Sequence, residues 1–324
     1  MEFSQQINPE WFDPKRIDPE MQELNRQLEQ QSRDNPARWE MALEVERGRT
    51  PGNGILQPSA IADGVTAENF HIDGPGGKLL IRKLTATSGT APAGVYLHHH
   101  GGGMCMGSAH GQDGMLSNIV LNANVVVLSV EYRLAPEHPF PAAPADAEAA
   151  AWWLVRNAAQ EFGTEKLVLG GESAGAYMSV MATLRLRDRH DYTGLAGINL
   201  NQGAYDLRMT PSVKASDEGL LVNRRSYHAL MNRFVPGELR NDPEVSPLFY
   251  DLRNLPPALF TAGSNDPCLD DSLFMYMRWI AAGNQAGLEV FPGGFHGFMM
   301  FNTAMAQTAN ARIVRFVRQA CGGE

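Results

Sequence analysis

The chain has 324 residues, 44% of them hydrophobic and 19% charged, enough to bury one large core. A formal net charge of −9 argues against nucleic acid as a partner, because phosphate binding needs clustered Lys and Arg. No apolar run approaches the ~18–20 residues that span a bilayer, and the N-terminus has neither the basic start nor the apolar stretch of a signal peptide. Three widely spaced cysteines, Cys105, Cys268 and Cys321, fit free thiols in a reducing compartment, so a cytoplasmic location is expected.

In chain order, residues 18–48 have helical composition without strand-like alternation. Met21, Leu24 and Leu28, then Trp39, Ala42 and Leu43, predict two amphipathic helices broken near Asn35-Pro36. Segments 68–74 and 78–85 predict paired strands joined by Gly74-Pro75-Gly76-Gly77. Short apolar runs follow at 94–98, 125–130, 166–170, 258–262 and 288–291, with a weaker one at 194–200. Helical stretches at 109–123, 142–161, 175–189, 269–283 and 303–320 separate many of them. Such alternation predicts a largely parallel sheet covered on both faces. Residues 205–240 interrupt it with Leu220, Leu221, Tyr227, Leu230, Met231 and Phe234 at helical spacing. Together with the N-terminal helices they are expected to cap the sheet's carboxyl edge, where ligands of such sheets bind.

Two motifs carry chemistry. Gly171-Glu-Ser-Ala-Gly175 follows one apolar run and opens a helix, the context in which a G-x-S-x-G serine is lifted above the sheet. Gly171 and Gly175 leave room for the sharp turn, and the helix dipole behind Ser173 favours developing negative charge. Ser173 is therefore the candidate nucleophile, set against the simpler reading of a helix-capping serine. His100-Gly-Gly-Gly103 follows the run at 94–98, and its glycines let backbone N–H groups approach a ligand. Gly102, Gly103 and Ala174 are the expected oxyanion donors.

A serine hydroxyl needs a base to take its proton. Of nine histidines, His296 stands in a glycine-rich loop directly after the last apolar run, able to reach the edge where Ser173 is exposed. His71 lies in the early hairpin, and His110, His138, His190 and His228 lack a comparable position. Asp266 follows the run at 258–262, one strand before His296, and is the expected acid that holds the imidazole's tautomer. Asp270 and Asp271 compete for that role, although carboxylates there also suit the first turn of a helix. Cys105 and Cys268 read as small apolar residues lining the pocket.

With Tyr132-Arg-Leu-Ala-Pro-Glu137, Pro139-Phe-Pro-Ala-Ala143, Asp266-Pro-Cys-Leu-Asp-Asp271 and His296-Gly-Phe298, these segments resemble the hormone-sensitive-lipase-like branch of the α/β-hydrolases. Bacterial members of that branch are the family IV esterases, and the matching segments cover most of the chain. The resemblance implies the α/β-hydrolase fold: a mostly parallel eight-stranded sheet flanked by helices, with a helical cap. The expected division is an N-terminal helical cap segment over 1–55 and a catalytic domain over 56–324, with 205–240 as a second cap segment. A Ser173/Asp266/His296 triad is implied, hydrolysing small-molecule carboxylic esters of short to medium acyl chain with no cofactor. His100 and Gly101 would organise the glycine loop, Tyr132, Arg133 and Glu137 would be structural, and two copies would pair through an edge strand and adjoining helix.

Three departures stand out. Glu172 occupies a position where aspartate is commoner, Met104 one often aromatic, and His98 and His99 positions usually apolar. Three consecutive histidines also raise a zinc site, but in a strand His98 and His100 share a face while His99 points away, so no metal is expected. An amidase, peptidase or lactonase using the same triad is the enzymatic alternative. A small-ligand receptor on a disabled hydrolase scaffold is the alternative of another class, and the presence of Ser173, Asp266 and His296 together weighs against it.

Overall fold

The apolar runs assemble side by side. A computed structural model describes residues 7–34, 60–216 and 222–323; within them lie strands β1 (Val65–Gly74), β2 (Gly77–Ala86), β3 (Gly94–His99), β4 (Val125–Val130), β5 (Leu167–Glu172), β6 (Gly197–Asn201), β7 (Ala258–Gly263) and β8 (Ala286–Phe291). They form one sheet in the order β1-β2-β4-β3-β5-β6-β7-β8. β2 runs antiparallel to β1 and β4, and the pairs from β4 to β8 are parallel. Every residue of β3, β4, β6 and β7 is buried, which is why β4 and β7 read as nearly continuous apolar runs instead of alternating ones. The hairpin β1–β2 turns at Gly74 and Gly77, as its glycines predict.

Helices cover both faces. α3 (Ala142–Phe162), α4 (Ala174–His190) and α7 (Leu269–Ala281) pack into one core. α1 (Pro19–Asp34), α2 (Asp113–Ala123) and α8 (Ala304–Ala320) supply Met21, Leu116, Ile119, Ile313 and Val317 to the other. α4 is buried at every position from Ala174 to Leu186, with Ser179, Thr183 and Arg185 buried among its apolar residues, because it lies under neighbours on all sides. Trp279 of α7 is fully buried and donates its indole N–H to the Pro256 carbonyl at 3.1 Å. α2 begins four residues later than its composition predicts, because residues near Ser108 close a turn through the Gly111 amide (3.1 Å). Residues 205–240 contain α5 (Pro211–Ala215) and α6 (Arg224–Phe234), the latter opened by a reciprocal cap between Asn223 and Ser226. The helix expected around Trp39, Ala42 and Leu43, and the positions Leu220 and Leu221, lie outside the described residues.

Parallel pairing aligns the strand ends. His99 pairs with Gly171, Glu172 with Asn201, Asn201 with Thr261 and Gly263 with Phe291. The loops after β3, β5, β6, β7 and β8 therefore open along one rim.

Candidate active site

Ser173 sits between β5 and α4 with φ +55° and ψ −118°, outside the comfortable regions for a residue with a Cβ. Close packing around it enforces the turn. A Cβ on Gly171 would fall 2.1 Å from the His99 carbonyl oxygen, and one on Gly175 would fall 1.8 Å from the same atom. Only glycine fits both positions. The Ser173 amide donates to the Asn201 carbonyl at 2.8 Å, anchoring the turn to β6.

His296 Nε2 lies 2.8 Å from Ser173 Oγ, and His296 Nδ1 lies 2.8 Å from Asp266 Oδ1. A carboxylate oxygen can only accept, so Nδ1 carries the proton and Nε2 is left to accept from the serine hydroxyl. His296 lies 123 residues from Ser173 and 30 from Asp266 in sequence; β7 and β8 are neighbours, and the aligned ends of β5, β7 and β8 bring the three loops to one rim. Burial pushes the His296 pKa down, but the charge and hydrogen bond of Asp266, with Glu172 and Asp271 beyond, outweigh it and leave the pKa raised.

Asp266 is buried and fully engaged. Oδ1 also accepts the Cys268 amide at 2.8 Å, and Oδ2 accepts from Gln202 Nε2 at 2.7 Å. Its sequence competitors point elsewhere. Asp270 accepts the Ser212 amide at 2.8 Å. Asp271 is fully buried instead of merely stabilising a first helical turn. It accepts the amides of Tyr205 (2.6 Å) and Asp206 (2.8 Å) and the Thr210 hydroxyl (2.7 Å). Burial raises its pKa to about 7 against the pull of those donors.

The glycine loop leaves β3 with Gly102 at φ +118° and Gly103 at φ +59°. Among the described residues, no hydrogen bond uses the amides of Gly102 or Gly103. The Gly101 amide is spent on Glu172 Oε1. Glu172 Oε2 in turn lies 3.1 Å from His98 Nε2, and His98 Nδ1 lies 3.0 Å from Ser129 Oγ. A buried line from β4 through β3 to β5 thus ends on the loop. His100 stacks on Tyr132 at 4.1 Å, with Nδ1 2.8 Å from the Gly101 carbonyl, while the Tyr132 hydroxyl donates to the His100 carbonyl at 2.7 Å. His99 turns to the opposite face, 3.0 Å from Ser179 Oγ, and burial lowers its pKa to about 3. The three histidines thus reach three different sets of partners. Another grouping of potential ligand atoms, from Asp266, Cys268 and His296 within 4.8 Å of one another, belongs to the site just described.

Cys105, Cys268 and Cys321 are buried and unpaired with one another. Arg133 grips Asp146 through Nε (2.9 Å) and Nη2 (2.9 Å), fixing the segment after β4. Glu172 and His98 were visible in the sequence only as departures from a pattern. Gln202 carried no signal beyond being a polar residue at the end of a buried strand.

The sequence pattern described as the alpha/beta hydrolase fold matches residues 96–300, and the chain belongs to that family. The carboxylic ester hydrolase LipN of Mycobacterium tuberculosis is 30% identical over 256 residues, 74% of this chain and 68% of that protein. The ethyl acetate hydrolase of Pseudomonas putida is 31% identical over 219 residues, 65% of this chain and 68% of that one. A solved hormone-sensitive lipase from a metagenome library shares the fold with a TM-score of 0.84 at 24% identity, covering 95% of this chain and 99% of that one. Within the family, the chain is a carboxylesterase.

Proposed function

We propose that the chain hydrolyses carboxylic esters of short to medium acyl chain through a Ser173–His296–Asp266 triad. The observation that carries this reading is the unbroken hydrogen-bonded line from Ser173 Oγ through both imidazole nitrogens to Asp266, each step 2.8 Å. Ser173 attacks the ester carbonyl as His296 Nε2 takes its proton, and Asp266 stabilises the imidazolium that forms. The amides of Gly102, Gly103 and Ala174 hold the tetrahedral oxyanion, a contribution on the order of 3–4 kcal/mol for each donor. His296 then protonates the leaving alcohol, and water repeats the sequence on the acyl-enzyme. The residues need no cofactor for any of these steps.

Two features support a small acyl group. A Cβ on Gly103 would lie 2.6 Å from Leu230 Cδ1, so α6 presses directly on the loop that faces the reacting carbon. The Pseudomonas relative is named for a two-carbon acyl ester. In the same proposal, segments 1–55 and 205–240 form the cap: Leu230 closes on the glycine loop, and Asn25 of α1 donates to the Gly293 carbonyl at 2.9 Å beside the base loop. Buried cysteines that form no disulfide with one another suit a reducing compartment, and the proposal places the enzyme in the cytoplasm.

The test is a p-nitrophenyl ester series from acetate to palmitate on wild type and Ser173→Ala. Activity peaking at or below about eight carbons, and lost in the variant by roughly the 10⁶-fold typical of a removed nucleophile, is the expected result. Turnover retained by Ser173→Ala would overturn the mechanism, and a palmitate optimum would overturn the chain-length assignment.

A further inference from the structure

Gln202 stands between the loops that deliver Asp266 and His296, and both ends of its amide are used there. Nε2 donates to Asp266 Oδ2 at 2.7 Å and to the Phe295 carbonyl at 2.9 Å. Oε1 accepts the Gly297 amide at 2.8 Å. Two acceptors meet the NH₂ group and one donor meets the oxygen, so the partners dictate the amide's orientation. Phe295 and Gly297 are the residues on either side of His296. One side chain therefore grips the second oxygen of the acid and the backbone before and after the base.

Its backbone tells the same story. Gln202 has φ +49°, in the left-handed region where a residue with a Cβ is uncommon and glycine or asparagine sits more easily. The residue is almost wholly buried, and its own amide donates to Thr261 of β7 at 2.7 Å. Nothing about the local chain favours glutamine at this point. The side chain's three bonds do.

We propose that Gln202 is a positioning residue that locks the acid and base loops in register, holding the imidazole in the single rotation that serves Asp266 and Ser173. This inference rests on the triad reading above. Physically, a carboxylate bound through one oxygen keeps a broad terminal torsion, and a bond to the other oxygen removes that freedom. The base loop contains Gly293, Gly294 and Gly297, so it has few side chains of its own with which to hold its shape. A neutral donor also leaves the charge of Asp266 uncancelled, whereas lysine or arginine in the same place would compete with the imidazolium for it.

Two variants test the proposal on a p-nitrophenyl ester, with kcat, KM and melting temperature followed across pH. Gln202→Met keeps the volume and removes all three bonds. Its kcat is expected to fall about 10- to 100-fold, as a misplaced catalytic group does, with KM little changed. Gln202→Glu keeps the length. As a neutral acid it can donate to Asp266 and accept from Gly297; once ionised it can donate nothing and repels Asp266. Its kcat is expected to turn over and decline with rising pH where the wild type climbs to a plateau, and this limb serves as the test even if the methionine variant does not fold.

Folded variants with wild-type kcat and an unchanged pH profile would overturn the inference. A loss in Gln202→Met beside a Gln202→Glu profile of wild-type shape would also overturn it, marking a purely structural role. Turnover surviving Ser173→Ala would sink the triad reading itself. An inactive Ser173→Ala next to a fully active Gln202→Met would sink this inference alone.

Discussion

At the scale of single residues, the site is a set of opposed demands met by geometry. As the proposed nucleophile Ser173 must be exposed enough to react yet is held at φ +55°, and as the proposed base His296 must be basic although it is buried. Burial alone would make the imidazole too acidic to accept a proton. The negative groups around it, Asp266 first, reverse that effect and leave the pKa above the ordinary value. In the proposed mechanism the imidazole must be neutral to act, so activity is expected above its pKa and lost as pH falls through it. With the pKa raised, the acid limb of kcat/KM is expected above the ~6.5 of free imidazole. A pH profile of kcat/KM checks this, and a limb at or below 6 would contradict the assignment of Asp266 as the dominant neighbour.

At the scale of elements, the tightest constraint is where α4 leaves β5 against β3. Added methyl groups at Gly171 or Gly175 would meet the His99 carbonyl, a backbone atom in mid-sheet that cannot swing aside as a side chain can. Gly175→Ala is expected to destabilise the fold by on the order of 3 kcal/mol, the upper end for overpacking, and to move Ser173 out of line. Gly163 gives the matched control. It ends α3 at φ +70° with nothing within 4 Å of a built Cβ, so its alanine variant carries only the left-handed strain of roughly 1–2 kcal/mol. Urea unfolding of the two variants distinguishes them: equal losses would mean that the contact with His99 is relaxed at little cost. The same packing explains why Glu172 matters beyond its motif. It is the last residue of β5, and through Gly101 and His98 it ties the glycine loop to two neighbouring strands.

At the scale of the molecule, two helical layers bury six parallel strands so completely that only the rim of strand ends is left for chemistry. Among the described residues no helix is long and apolar enough to cross a membrane. The net charge of −9 sets a long-range field that disfavours anionic substrates approaching that rim. An ester bearing a carboxylate is expected to show kcat/KM rising with added salt, as screening shortens the field to about 10 Å near 0.1 M, while a neutral ester of equal size stays flat. Parallel salt titrations of the two substrates check this; the same slope for both would show that the field does not reach the site.

Local signals were enough to read the order of strands and helices, the turn at Ser173 and the glycine loop, because each depends on residues a few positions apart. Val125–Val130 is a buried strand for the same reason that it is an unbroken apolar run, and Gly171 and Gly175 mark a turn that no other residue permits. Position one strand before His296 put Asp266 ahead of Asp270 and Asp271 as the expected acid, but said nothing of what the other two carboxylates would meet. The fates of Asp266 and Asp271 differ because one carboxylate faces His296 and the other the amides of Tyr205 and Asp206. Gln202 left no local trace, and Glu172 and His98 stood out only as departures from a pattern, with nothing to say that they join Ser129 in one line. Those bonds join strands far apart in sequence, and only the packing of the sheet decides which buried polar groups meet.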